Sequence, residues 1–200
     1  MISCGEDYSF LLNERGELLF FGENNAKWFN INESVSEITP VQIKDFIIEE
    51  VVIENTGIKN RKPSPDRMLG NKQDSEYLTL KKQKILKNLK FRQVASKSLF
   101  SLVLSESGEV FYFSALSSLP KNYFFPVAIT QVCCSYNFSV LLTNAGQVFT
   151  FGVDNDEGEL GLGDFMGRDK PAFVEGLKRE KIIEIDCGFK HVMVRSLTNK

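Results

Sequence analysis

The chain has 200 residues, of which 42% are hydrophobic, 12% aromatic and 25% charged. This is enough apolar material for a sizeable core and excludes a disordered or fibrous class. A net charge of −2 leaves no overall field to draw it onto nucleic acid or a membrane surface. Seventeen Phe against one Trp, with Val, Ile and Leu in short runs, favour packed strands over long amphipathic helices. Met1-Ile2-Ser3-Cys4-Gly5 has neither the basic start nor the apolar run of a leader, and no stretch approaches the roughly 18 apolar residues of a membrane span. The expectation is an intracellular protein, cytoplasmic or nuclear.

The first predicted unit runs from Cys4 through Tyr8-Ser9-Phe10-Leu11-Leu12 to the turn Asn13-Glu14-Arg15-Gly16, and returns as Glu17-Leu18-Leu19-Phe20-Phe21-Gly22. The pattern is strand, tight turn, strand. Residues 1–54 are assigned to this first repeat, with Pro40-Val41 near its end.

Residues 55–90 read as an insertion. Between Lys59 and Arg92 there are 11 Lys or Arg against 3 Asp or Glu, a local charge of +8 that leaves −10 on the remainder. Leu78, Ile85, Leu86 and Leu89 fall on one stripe of a helix predicted over 77–90, with Lys81, Lys82, Lys84 and Lys87 around its polar face and Asp74 or Ser75 as its cap. Those four lysines are the candidate partner-binding residues, for an acidic protein, a phosphate backbone or a membrane surface. The plainer alternative is an apolar stripe resting on the protein's own acidic flank. Ser64, set between Pro63 and Pro65, is a candidate phosphorylation site.

The unit returns twice within 91–200. Ser96 leads to Ser101-Leu102-Val103-Leu104, a turn at Gly108 and Val110-Phe111-Tyr112-Phe113; Cys134 leads to Ser139-Val140-Leu141-Leu142, a turn at Gly146 and Val148-Phe149-Thr150-Phe151-Gly152. In all three units the leading position and the turn glycine are 12 residues apart. A fourth start at Cys187 places His191 where Tyr8 and Phe138 stand and Asn199 where the glycine would be. A packed, hydrogen-bonded imidazole is expected there.

Between the third and fourth starts lies Gly152-Val153-Asp154-Asn155-Asp156-Glu157-Gly158-Glu159-Leu160-Gly161-Leu162-Gly163-Asp164, followed by Pro171 and Val174. This resembles the regulator of chromosome condensation repeat, in which a strand ending in Phe-Gly leads into a Gly-Gln-Leu-Gly-Leu-Gly-Asp loop and a Pro-x-x-Val strand. Glu159 stands where the family has Gln. The resemblance covers about 1–54 and 91–200 and implies an all-β chain, a partial, open β-propeller of about three to four blades carrying a basic, partly helical insertion. Gly16, Gly108, Gly146, Gly158, Gly161 and Gly163 are its structural turn positions. The second unit is short, with 38 residues from Gly108 to Gly146 against 53 from Cys134 to Cys187.

Catalytic chemistry is not expected. Asp154 to Gly158 imitates half a calcium loop, but Phe165 occupies the position that needs a glutamate. The glycines match neither phosphate-loop spacing. Cys4, Cys133, Cys134 and Cys187 form no Cys-x-x-Cys pair and have one histidine to help them, so reduced, buried thiols are expected and a disulfide is set aside. No metal, cofactor or small-molecule substrate is expected.

What the resemblance implies for function is a non-catalytic protein-protein interaction scaffold. The alternatives are a guanine nucleotide exchange factor for a small GTPase, or a fragment of one, and a substrate-recruiting propeller within a larger protein such as a ubiquitin ligase. The expected partner is a protein, either a small GTPase or a chain that completes the propeller. Nucleic acid or a membrane enters only through the basic insertion.

Overall fold

The computed structural model describes residues 1–22, 41–42, 45–53, 79–87, 89–98, 100–114, 120–123 and 125–197, with backbone alone for 41–42, 45–53 and 79–87. Among the described residues sixteen strands form four sheets, the successive blades of a partial, open β-propeller. Blade one orders β1 (Ile2–Cys4), β2 (Tyr8–Leu12), β3 (Leu18–Gly22) and β4 (Val41–Gln42). Blade three repeats that order as β11 (Ile129–Cys134), β12 (Phe138–Thr143), β13 (Val148–Gly152) and β14 (Arg168–Phe173). Blade four contributes β15 (Ile182–Cys187) and β16 (Val192–Ser196), after a 3-10 turn at Glu175–Leu177.

Blade two departs from the plain repeat. It runs β7 (Phe91–Lys97), β8 (Phe100–Ser105), β9 (Val110–Ser114) and the short β10 (Lys121–Tyr123), then continues outward through β5 (Asp45–Ile53), parallel to β10, and β6 (Thr79–Lys87), antiparallel to β5. Residues 45–53, assigned by sequence to the first repeat, thus lie in the second blade's sheet.

The helix expected over 77–90 is not formed, because 79–87 is strand. Asp45–Ile53 is rich in β-branched residues and pairs with it at nine consecutive positions, so each strand fills the other's backbone hydrogen-bonding groups. That long-range ladder overrides the local 3.6-residue period.

Packing follows from which faces are covered. Each core sits between two blades. Tyr8, Phe10, Leu12, Leu18 and Phe20 of blade one meet Phe91, Val94, Val103, Phe111 and Phe113 of blade two. Leu102, Leu104 and Val110 meet Val132, Leu141 and Phe151. Phe138, Val140, Leu142 and Val148 meet Ile182 and Ile185. The middle strands β8 and β12 are therefore buried on both faces at all six positions, whereas β2 alternates between buried and half-buried and β16 is mostly exposed. One covered face at each end, two in the middle, is what an open arc requires.

The blades are tied at their inner strands by a recurring set of bonds. The turn-glycine carbonyls of Gly16, Gly108 and Gly146 accept from the amides of Phe91, Ile129 and Ile182, the first residues of the next inner strands, at 2.9, 3.3 and 3.2 Å. Gly146 has φ +80°, and a Cβ there would lie 2.9 Å from Lys181 Cγ and 3.0 Å from the Ile182 carbonyl oxygen. Only glycine meets both the left-handed backbone and the close approach of the next blade. Two residues past the start of each of β7 and β11, a glutamine amide closes a second link. Gln93 Nε2 donates to the Val132 carbonyl at 2.8 Å while its Oε1 accepts from the Val132 amide at 3.0 Å, and Gln131 makes the same pair of bonds to Ile185 at 2.9 and 3.0 Å.

Candidate interaction surface

The long loop between β13 and β14 is organised by one side chain. Asn155, 1% exposed, donates through Nδ2 to the carbonyls of Asp164 at 2.8 Å and Met166 at 3.2 Å, and its Oδ1 accepts from the Leu160 amide at 2.9 Å. Leu160 is buried in the core between blades three and four, and its carbonyl accepts the Thr150 hydroxyl at 2.7 Å. Gly158, Gly161 and Gly163, at positive φ, carry the chain around this anchor. Asp164 and Arg168 close the loop with a 2.6 Å ion pair that, with the Met166 amide, lowers the carboxyl pKa. The polar side chain that builds the loop is thus Asn155, which the sequence reading passed over in favour of its acidic neighbours. Its only signal is an uncharged amide beside two acids in a glycine-rich loop.

The anchored loop displays apolar side chains instead of covering them. Phe165 is 70% exposed, Met166 68% and Val153 54%. Beside them, Tyr136 and Phe189 hold their rings at 5.4 Å, both exposed, one from the β11–β12 loop and the other from the β15–β16 loop. The second loop is locked to the first by the buried Ser135, whose hydroxyl lies 2.6 Å from the carbonyls of both Gly188 and Phe189. Polar contacts link the three loops. Glu157 pairs with Lys190 at 3.4 Å, Asn137 donates to Asp154 at 2.5 Å, and Phe165 approaches Gly158. The β13–β14 loop carries Asp154, Asp156, Glu157, Glu159 and Asp164 against Arg168, so the aromatic patch is rimmed by net negative charge. An exposed apolar patch with a polar rim is the form of a protein-binding surface.

The other candidate residues lie elsewhere. Lys81, Lys82, Lys84 and Lys87 stand on the outermost strand of blade two, opposite Val51, Glu50, Ile48 and Asp45 in register, which dissolves the helical polar face expected for them. Ser64, with Asp74, Ser75, Tyr77 and Leu78, lies outside the described residues. Gly16, Gly108 and Gly146 occupy the hairpin turns between the second and third strands of their blades, at the opposite strand ends from the patch.

His191 is exposed, contrary to the packed imidazole expected. The equivalent Phe138 is covered by Gly152 of a returning strand, and blade four has two strands among the described residues. Tyr8 does follow the packed pattern: it is buried, shares a 2.9 Å hydrogen bond with Ser101 Oγ, and desolvation pushes its hydroxyl up to about 12.

The cysteines also differ from expectation. Cys133 and Cys187 form a disulfide across blades three and four, with their Cα atoms 6.0 Å apart. Neighbouring inner strands bring these two together although they occupy different positions of the repeat. Cys134 is free and donates to the Ala95 carbonyl at 3.3 Å, and burial pushes its thiol up to about 12; Cys4 is free and exposed.

Among the described residues no three His, Cys, Asp or Glu side chains are grouped to hold a metal ion, and no helix is long and apolar enough to cross a membrane.

Comparison with known proteins matches two models of the regulator of chromosome condensation repeat, to residues 145–195 and 129–159. The E3 ubiquitin-protein ligase HERC2 of Homo sapiens is 23% identical over 223 residues, spanning 95% of this chain and 4% of that protein. The secretion-regulating guanine nucleotide exchange factor of Bos taurus is 37% identical over 93 residues, 46% of this chain and 18% of that one. The chain therefore spans less than a fifth of either relative. In fold it is similar to Prp20p of Saccharomyces cerevisiae, a protein studied for binding Gsp1p and histones, with a TM-score of 0.63 at 16% identity over 100% of this chain and 44% of that one. The strand order, the glycine-turn spacing and the matched loop agree: residues 129–195 carry repeats of the regulator of chromosome condensation family, and the chain is folded as part of a β-propeller.

Proposed function

We propose that the chain is a non-catalytic, intracellular protein-protein interaction scaffold whose docking surface is the loop face around Tyr136, Phe165, Met166 and Phe189. The observation that carries this reading is the exposed Tyr136 and Phe189 pair, fixed by Ser135 instead of left to fold inward. Ordering a loop normally costs conformational entropy on binding. Here that ordering precedes the partner. The acidic rim selects a basic partner segment, and the rings and Met166 supply slots for an apolar anchor within it.

The test is fluorescence anisotropy with three labelled synthetic peptides: Lys/Arg-rich with Phe and Leu anchors, Lys/Arg-rich without anchors, and acidic with anchors. The scaffold reading expects the first to bind at least about tenfold tighter than either control. Equal binding of the two basic peptides, falling steeply with salt, would reduce the surface to unspecific charge.

A second reading, guanine nucleotide exchange, is favoured by the 37% identity to the Bos taurus exchange factor. Its readout is release of fluorescent GDP from a panel of small GTPases. Acceleration by this chain would replace the scaffold reading with an exchange activity. A third, a recruiting propeller within a larger ligase, draws on the match to HERC2 along 95% of the chain.

A further inference from the structure

The inner strands of neighbouring blades meet at one recurring pair of positions. In the first interface the Ser96 amide donates to Ser3 Oγ at 2.6 Å, in the second Cys134 Sγ donates to the Ala95 carbonyl at 3.3 Å, and in the third Cys133 meets Cys187. Ser3, Ala95 and Cys133 are equivalent positions of the repeat, as are Ser96, Cys134 and Cys187. The interface geometry brings the two positions together in every case, and only the third pair has two sulfurs to join.

We propose that Cys133 and Cys187 are a reversible redox staple that locks blade four onto blade three. Both residues are half-buried, so a small oxidant reaches them, and they are separated by 54 positions, so no local turn forces the bond. The oxidant is a low-molecular-weight disulfide of the glutathione class. One cysteine thiolate attacks it, forming a mixed disulfide and releasing one thiol of the small molecule. The second cysteine thiolate then attacks the protein sulfur of that mixed disulfide, closing Cys133–Cys187 and releasing the second thiol. Two protein thiols are oxidised and one small-molecule disulfide is reduced to two thiols. The reverse exchange opens the staple. In a reducing compartment such a bond is a state variable of the protein instead of a permanent fixture.

What the staple holds is specific. Blade four has two strands among the described residues, its core is the single face shared with blade three, and its hairpin loop presents Phe189 and Lys190 to the loop face. The bond itself does not depend on the docking reading. Its consequence for binding rests on that reading, and the experiment separates the two.

The experiment equilibrates the full chain in glutathione buffers of graded oxidation, quenches with acid, alkylates free thiols and maps disulfide-linked peptides, with amide hydrogen exchange on the same samples. The expected result is a reversible conversion to a Cys133–Cys187 link, abolished in Cys187→Ser and retained in Cys4→Ser and Cys134→Ser. Exchange in 182–197 slows about tenfold in the linked form. Wild-type protein alkylated while reduced supplies the open form without any substitution. Free thiols at the most oxidising ratio, or a mixed disulfide that never closes, would overturn the staple; a link that leaves exchange in 182–197 unchanged would overturn its role as a lock. Peptide binding unaltered by a bond that does slow exchange would count against the docking reading alone.

Discussion

Gln131 holds Ile185 by both hydrogen-bonding groups of its side-chain amide, Nε2 to the carbonyl at 2.9 Å and Oε1 from the amide at 3.0 Å, across the boundary between two blades. Gln93 holds Val132 in the same way one blade earlier. A glutamine does this because its amide carries a donor and an acceptor side by side, like the peptide group it faces. The equivalent residue of the last blade is Glu184, which has turned to Arg195 at 2.6 Å instead.

Replacing Gln131 by Glu keeps the shape and removes the donor, leaving a carboxylate facing the Ile185 carbonyl. The expected cost is about 2 kcal/mol of folding stability, from one lost bond and an unfavourable pairing in a half-buried site. Urea unfolding checks it, and Gln93→Glu is expected to cost a similar amount.

Gly146→Ala forces a side chain into a left-handed backbone at φ +80° and against Ile182 of the next blade. A loss of about 2 kcal/mol follows, with hydrogen exchange of β15 accelerating before that of β11. Gly176→Ala, which meets nothing within 4 Å and has no positive φ, is the control and is expected to be near neutral.

The recurring inner-strand pair makes a constructive prediction. Ala95→Cys places a thiol opposite Cys134, and under oxidising conditions a second disulfide is expected there, worth about 4 kcal/mol in the chain-entropy account for a loop of this size. Peptide mapping detects the bond. Its absence, while Cys133–Cys187 forms, would show that the interfaces are not geometrically equivalent.

Stability has an alkaline limb. The thiol of Cys134 and the hydroxyl of Tyr8 are both pushed up to about 12 by burial, above their ordinary values of 9.0 and 10.0. Their neutral forms are favoured by the fold, so this stability is fully present below pH 9 and is lost as pH rises toward 12. At pH 10.5 Cys134 alone accounts for a loss of about 2 kcal/mol relative to pH 8. Denaturation midpoints across that window check it, and Cys134→Ala is expected to flatten the first part of the decline.

Much of the fold was legible in the sequence because each repeat unit is local. A leading residue, two short apolar runs and a glycine 12 positions on describe a hairpin without reference to anything distant, and the Leu160-Gly161-Leu162-Gly163 loop marks where the fourth strand is reached. What was not legible depends on contacts between units. The pairing of 45–53 with 79–87 joins segments whose own periodicities suggested other fates, and nothing in 77–90 names its partner strand. The disulfide joins two cysteines at different repeat positions, which become neighbours only once adjacent inner strands are placed side by side. The loop face was missed for a related reason. Tyr136, Phe165 and Phe189 come from three separate loops, and each alone reads as an ordinary core aromatic.

A loop face that docks a basic segment with apolar anchors must lose affinity when its exposed rings are removed. The most direct measurement is the affinity of the anchored Lys/Arg-rich peptide for wild-type protein and for the Tyr136→Ser/Phe189→Ser variant, with urea midpoints recorded for both. At least about tenfold weaker binding by the variant is expected, with little change in midpoint, because both rings are exposed and hold no core. Equal affinity for the two proteins would contradict it.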